Sequence, residues 1–205
     1  MWRISTALVV LFAASWAYAD SPPTDRIIID VITVNGTGCP AGTAAVSVLP
    51  DNTGFTLSYA AYTAQVGVGA RSFDFRKNCD LNLLVHAPSG FSYVIASAEY
   101  RGFASLAAGA PGLVRGTLFF QGQSPRPFAE LRLSGPFEND WAFIDSFDTT
   151  GTLSSCGAQR NLNIRTEVQV NAGTSDPTTT TSLVTMDSTD GAITQTYRFR
   201  WQRCL

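Results

Sequence analysis

The sequence has little charge and almost none of the side chains that carry acid–base chemistry near neutral pH. Charged residues make up 15% of its 205 positions, and the chain has one lysine, Lys77, and one histidine, His86. The formal net charge is −2 at pH 7. Proteins that bind nucleic acids need a concentrated basic surface to neutralise phosphates. We therefore expect no nucleic-acid partner.

Several catalytic signatures are also missing. The sequence contains neither a Gly-x-Ser-x-Gly nucleophile elbow nor a phosphate-binding glycine loop followed by lysine. A Ser/His/Asp triad would have to use His86, which comes just before a turn and is better explained as a surface or edge residue. We predict no catalytic triad and no bound cofactor.

A glycan-cleaving pair of carboxylates remains open, because it needs only two acidic side chains about 5–9.5 Å apart and sequence spacing does not reveal such a pair. Glu167 and Arg165, on the polar side of one predicted strand, are expected to form a surface ion pair instead. Most carboxylates beside aromatic residues are simply solvated, so catalysis is the less favoured hypothesis. The acidic residues that lie near aromatic residues in sequence are Glu99, Glu138, Asp140 and Asp145.

Calcium binding is a further alternative. Asp145 with Asp148, and Asp187 with Asp190, lie in segments rich in Ser, Thr and Gly that offer hard oxygen ligands. Neither pair matches the spacing of a regular calcium-binding loop. Asp190 is also explained by a hairpin turn, because glycine follows it. We predict no metal site.

Long hydrophobic runs are absent except for a short one at the N-terminus. Arg3 is followed by an apolar run over residues 7–14 and by a small-x-small cleavage site that ends at Ala19. This order predicts a signal peptide over residues 1–19. The run is shorter than the roughly 20 residues that a bilayer span requires. We therefore predict a secreted, extracellular protein without a membrane anchor.

The four cysteines predict two disulfides. Cys39, Cys79, Cys156 and Cys204 are an even number in a chain that we expect to be exported. Three pairings are possible. We favour Cys39 with Cys79 and Cys156 with Cys204, because each bridge then closes a loop within one half of the chain.

Two segments are candidate sites of glycosylation. Asn35 begins the single Asn-x-Thr sequon, which predicts an N-glycosylation site on a surface turn. Residues 172–182 read AGTSDPTTTTS, which predicts an exposed, Thr-rich loop that could carry O-linked sugar.

Hydrophobic residues alternate with polar ones along most of the chain, which predicts strands. The clearest case puts Leu162, Ile164 and Val168 on one side and Asn163 and Arg165 on the other. About ten such segments, joined by short Gly- and Pro-containing turns, predict an all-β antiparallel two-sheet β-sandwich, jelly-roll-like, that forms a single domain over residues 20–205. Residues 104–108 are the one candidate for a short helix.

The order of several short motifs resembles one known family. The resemblance is to the secreted family called domain of unknown function 4360, and it spans nearly the whole mature chain. It implies export, paired cysteines and a β-rich domain, and it assigns no activity. One departure is visible, because Leu153-Ser154-Ser155 stands where we expect a tryptophan before the third cysteine. The motifs include GTGCPAG at 36–42, RKNC at 76–79, PSGFSY at 88–93, FQGQ at 120–123, CGA at 156–158 and WQRC at 201–204.

Aromatic residues offer the best route to a binding function, because Trp, Tyr and Arg dominate contacts with sugars and proteins. Trp201 is in phase with apolar neighbours and is expected to be buried. The candidate binding residues are Tyr100, Arg101, Phe103 and Trp141. We predict a secreted, non-catalytic protein that binds a cell-wall glycan or an extracellular protein. The alternatives are a small glycan-active enzyme and a secreted effector that acts on a host or a competitor.

Overall fold

The computed structural model describes residues 21–147, 156, 159–186 and 195–204, so the predicted signal peptide lies outside the described residues. Strands, and no helix, make up the regular structure of this part of the chain. Twelve strands are described: β1 (Ile28–Asn35), β2 (Ala44–Val48), β3 (Gly54–Tyr59), β4 (Thr63–Gly67), β5 (Arg76–His86), β6 (Phe91–Leu106), β7 (Pro111–Phe120), β8 (Ala129–Ser134), β9 (Phe137–Ser146), β10 (Asn161–Val170), β11 (Thr181–Thr185) and β12 (Gln195–Arg203).

The strands form two antiparallel sheets. One has five strands in the order β1-β5-β10-β7-β8, and the other has seven, in the order β2-β3-β12-β6-β11-β4 with β9 also paired to β6. The long strand β6 joins the second sheet together, since β12 and β11 share one of its edges and β9 takes the other. The predicted antiparallel two-sheet sandwich is confirmed.

The core lies between the inner faces of the two sheets, as the alternation predicts. In β10, Leu162, Ile164 and Val168 are buried, whereas Asn163 and Arg165 are not. The largest buried side chains are aromatic, and their rings pack against one another as stacked or edge-to-face pairs. Trp201 is 3% exposed, which confirms the expectation that it is buried.

The predicted short helix over residues 104–108 is wrong. Residues 104–106 continue strand β6, where they pair with β9 on one edge and β11 on the other. An isolated helix of this length is unstable in water because nucleation costs more than so few hydrogen bonds return. Two neighbouring strands instead supply partners for the backbone.

The Thr-rich segment forms an ordered turn that ends where β11 begins at Thr181. The Asp176 carboxylate accepts hydrogen bonds from the backbone N–H and the hydroxyl of Thr178, at 2.9 and 2.7 Å. The Thr180 hydroxyl donates to the Asp176 carbonyl at 2.7 Å. Hydrogen bonds of this kind from short polar side chains replace strand pairing in turns.

Both predicted disulfides are confirmed. Cys39 bonds to Cys79 and Cys156 bonds to Cys204, with Cα–Cα distances of 5.5 and 5.8 Å. The first bridge is completely buried, whereas Cys156 is exposed. Leu153-Ser154-Ser155, which precedes Cys156, lies outside the described residues. Within the described part of the chain, no helix is long and apolar enough to cross a membrane.

Candidate functional site

The four residues predicted to bind a ligand do not share one surface. Tyr100 and Trp141 have exposures of 0% and 5%, whereas Arg101 is exposed and Phe103 is half-buried. Successive side chains of a strand point to opposite faces, so β6 directs Tyr100 into the core, where its ring stacks on Phe143 at 4.7 Å. The prediction needs correcting for Tyr100 and Trp141, because their rings belong to the core and not to a surface platform.

The acidic residues considered for catalysis are divided between the two faces of the seven-stranded sheet. Asp145 is opposite Ala98 on the inner face, and Glu99 is on the outer face. Burial raises the pKa of the Asp145 carboxyl, and Arg126 Nη1, 3.7 Å from Asp145 Oδ2, opposes that effect. Glu99 forms an ion pair with Arg101, whose Nε donates to Glu99 Oε1 at 2.7 Å.

Glu138 and Asp140 lie two residues apart on the outer face of β9, and both are exposed. No group of three or more metal-ligating side chains occurs among the described residues. The calcium candidates Asp148, Asp187 and Asp190 lie outside those residues.

The structure has a groove at one edge of the sandwich, between the two sheets. This groove, of about 930 Å³, opens between β1 and β2, which are edge strands. Ile29, Val46, Arg26 and Asn52 are among the residues that line it. Asn52 Nδ2 also donates to the carbonyl of Pro23 at 2.8 Å.

The most ordered array of polar side chains covers the outer surface of the five-stranded sheet, which we call the polar face. Its side chains alternate with the core residues of the same strands, and the strand register sets them in rows. Neighbours within a row are about 4.8 Å apart, and successive rows are about 7 Å apart. Two rows cross β7, β10, β5 and β1 in that order, and a third crosses the first three of these strands: Phe119–Asn163–Asn82–Thr33, Thr117–Arg165–Asp80–Asn35, and Arg115–Glu167–Asn78.

Three asparagines form a cluster near one end of the polar face. Asn161 Nδ2 donates to Asn82 Oδ1 at 2.6 Å, and Asn82 Nδ2 donates to Asn163 Oδ1 at 2.8 Å. Each asparagine side chain carries two N–H donors and an oxygen with two lone pairs. Two bonds among three amides therefore leave most of these donors and acceptors available for a ligand or for water. Phe119 is directly across from Asn163 and is half-buried.

A charged pair lies in the next row. Arg165 Nε is 2.8 Å from Asp80 Oδ1, and its guanidinium lies 5.2 Å from the centre of the Phe119 ring. Asn78 Nδ2 donates to the other Asp80 oxygen at 3.2 Å. The predicted ion pair between Arg165 and Glu167 is therefore wrong, because each residue pairs across strands instead.

Glu167 is the most deeply placed charge of the polar face. Its side chain is 6% exposed, and its carboxylate binds the guanidinium groups of both Arg76 and Arg115. Arg76 Nε donates to Glu167 Oε2 at 2.7 Å, and Arg115 Nη2 is 2.9 Å from Oε1. The carboxylate raises the pKa of Arg76. This cluster locks strands β5, β10 and β7 together at one end of the face.

His86 lies at the other end of the polar face. Its Nε2 is 2.7 Å from Asp30 Oδ2, and Gln159 Nε2 is 3.1 Å from its Nδ1. With the amide as donor to Nδ1, the ring carries its proton on Nε2 and donates it to Asp30. His86 is thus an edge residue held by hydrogen bonds.

Sequence reasoning identified the polar side of β10 as solvent-facing and did not identify Asn82, Asp80 or Phe119 as its neighbours. Each of these three residues is polar or half-buried in the phase opposite to the core of its own strand. The alternation of β5 and β7 therefore contained the signal. The order of the strands, which puts them next to β10, did not follow from it.

The described chain is thus a disulfide-linked antiparallel β-sandwich whose five-stranded sheet has a mainly polar outer face. It belongs to the family described as a domain of unknown function (DUF4360), whose model matches residues 25–204. An uncharacterized secreted protein of Arthroderma benhamiae is 34% identical over 186 residues, which cover 90% of this chain and 75% of the relative.

Two solved structures match this chain at low similarity. TmCBM61, solved in complex with β-1,4-galactotriose, has 11% identity and a TM-score of 0.31, and the match covers 84% of this chain and 88% of that one. The enzymatically active domain of bacteriophage CBA120 tailspike protein 4 has 15% identity and a TM-score of 0.27, with 84% and 19% covered. At these TM-scores neither comparison bears on the ligand of this chain.

Proposed function

We propose that this chain is an exported, non-catalytic protein that binds a glycan on its polar face. The observation that carries the proposal is the cluster of Asn82, Asn161 and Asn163 beside Phe119. The cluster lies on a sheet surface rather than on loops.

The chemistry of a sugar matches this cluster. Sugar hydroxyls both donate and accept hydrogen bonds, as asparagine amides do. One face of a sugar ring carries mainly C–H groups, which pack on an aromatic ring. Phe119 is half-buried, carries the Arg165 guanidinium over its ring and lies within one strand spacing of Asn163, so a single sugar unit can contact Asn163 and the edge of that ring.

The cluster is also preorganised. Asn82 is bonded on both sides, and all three asparagines stand on β5 and β10, the paired central strands of their sheet. Side chains that are already held lose little conformational entropy on binding. A rigid strand also positions them more accurately than a loop does.

Export is supported by the two disulfides, which persist in oxidising compartments outside the cytosol. The secreted description of the Arthroderma benhamiae relative agrees with it. The signal peptide over residues 1–19 remains a prediction. N-terminal sequencing of protein recovered from culture medium tests it, and a mature chain that begins at Asp20 is the expected result.

The binding proposal is tested by sedimentation with a panel of insoluble cell-wall polysaccharides, with the supernatants assayed for released sugar. We expect retention on at least one polysaccharide and no release. The variant Asn82→Ala/Asn163→Ala should lose retention. Asn171→Ala, which removes an exposed asparagine just beyond the end of β10, should retain it.

Circular dichroism and thermal unfolding of each variant separate loss of binding from loss of fold. Release of sugar by the parent chain would contradict the non-catalytic part of the proposal. Retention of the folded double variant at the parent level would contradict the assignment to the polar face.

A further inference from the structure

The polar face carries four arginines and four carboxylates, and each arginine is already in contact with a carboxylate of the same face. Arg165 binds Asp80, Arg132 binds Glu130, and both Arg76 and Arg115 bind Glu167. The fourth carboxylate, Asp30, holds the ring of His86. No guanidinium of the polar face is therefore left unpaired within the described residues.

We propose that the polar face selects an uncharged glycan and rejects glycans that carry carboxylate or sulfate groups. This inference rests on the proposed function and names the chemical class of its ligand. The neutral amides of Asn82, Asn161 and Asn163 supply the free hydrogen-bonding groups, and the charged residues in the next row of the face, Asp80 and Arg165, are paired with each other.

The cost of binding an anion follows from the burial of these pairs. Recognition of a carboxylate or sulfate normally uses a guanidinium with free N–H groups. The positive charges of Arg76 and Arg115 are already balanced by Glu167, whose side chain is 6% exposed, so an anion that drew either guanidinium away would leave that carboxylate with one partner fewer. A buried carboxylate that loses a partner is strongly unfavourable.

Using Arg165 instead would leave Asp80 beside the incoming anion. Asp80 is two residues from Asn82 on β5, a separation of about 7 Å along a strand. An anionic sugar bound at the asparagine cluster would then face an uncompensated like charge, which disfavours binding. A hydroxyl at the same position leaves the pair of Asp80 and Arg165 intact.

The test compares binding of the purified protein to a neutral β-glucan and to the carboxymethylated form of the same polymer, at low and high salt. If the sedimentation panel selects another neutral polysaccharide, that polymer and its carboxymethylated form replace the pair. We expect the neutral polymer to bind at least about tenfold more tightly, a difference of about 1.4 kcal/mol. Binding to it should change less than about twofold between about 50 and 500 mM NaCl, because no charge is neutralised.

The variant Asp80→Asn frees Arg165 and should gain binding to the carboxymethylated polymer. Asp74→Asn is the matched control, since it makes the same change in net charge at a residue that pairs with Arg71 and Lys77 away from the polar face. It should gain nothing. A gain by both variants would show that net charge alone governs the preference and would overturn the inference.

The outcomes separate this inference from the proposed function. Tighter, salt-sensitive binding of the carboxymethylated polymer overturns the inference and leaves glycan binding established. Binding to no neutral or charged polysaccharide overturns the proposed function, and the inference falls with it.

Discussion

The two disulfides should contribute similarly through chain entropy and differently through burial. They close loops between cysteines 40 and 48 residues apart. Restriction of the unfolded chain by loops of this length is worth about 4 kcal/mol each. On entropy alone, replacing either pair by alanines would lower the free energy of unfolding by the same amount.

The different burial of the two disulfides makes these losses in the free energy of unfolding unequal. Cys39 and Cys79 are 0% and 1% exposed and belong to the core, whereas Cys156 is exposed. Removing two buried sulfur atoms adds transfer and cavity costs of roughly 1 kcal/mol each. The variant Cys39→Ala/Cys79→Ala should therefore be the less stable of the two by about 1–2 kcal/mol.

Urea unfolding followed by circular dichroism measures both losses. Thiol labelling under mild reductant provides a second readout, because an exposed bridge is reached first and should label Cys156 and Cys204 before the other pair. A smaller loss for the buried pair than for the exposed pair would refute the reasoning, and so would labelling of Cys39 and Cys79 first.

Three further predictions concern the core, an acidic group and the sequon. Gln195→Leu removes the oxygen that accepts hydrogen bonds from the hydroxyls of Tyr59 and Tyr197, and the loss of two buried hydrogen bonds should cost about 1–3 kcal/mol in urea unfolding; a loss below about 0.5 kcal/mol would contradict this network. Burial raises the folded-state pKa of Asp145 above 3.8, so its stabilising contribution is present below that pH and is lost as the pH rises through the folded-state pKa. Asp145→Asn should therefore gain stability relative to the parent as the pH is raised from acid to neutral, and unfolding midpoints that move in parallel with the parent would rule this out. Asn35 is exposed at the end of edge strand β1. Protein made in a eukaryotic host should therefore lose the mass of one N-glycan when Asn35 is replaced by Gln. If the two proteins differ only by the mass difference between Asn and Gln, the sequon is unused.

Local alternation was enough to predict the fold class and the buried face of several strands. In β10 and β12 most residues at alternate positions are apolar, and burial in the structure follows that alternation except at Glu167. The cysteine pairing followed from the position of each pair within one half of the chain. These features depend on residues close together in sequence.

Features that depend on strand order could not be obtained in the same way. Asn82 and Asn163 are 81 residues apart and meet because β5 and β10 are neighbours. Tyr100 and Trp141 became candidates because polar residues surround them. The pairing of β6 with β9 places both rings on the inner face. The sequence around Tyr100 does not reveal this pairing, and neither does the sequence around Trp141.

The central claim is that the polar face binds the glycan, and side-chain amide NMR tests it most directly. Titration of ¹⁵N-labelled protein with a soluble oligosaccharide of the retained polysaccharide should shift the side-chain amide signals of Asn82, Asn161 and Asn163, while that of Asn139 on β9 stays in place. Shifts confined to Asn139 and its neighbours, with the three asparagines unchanged at saturation, would contradict the account.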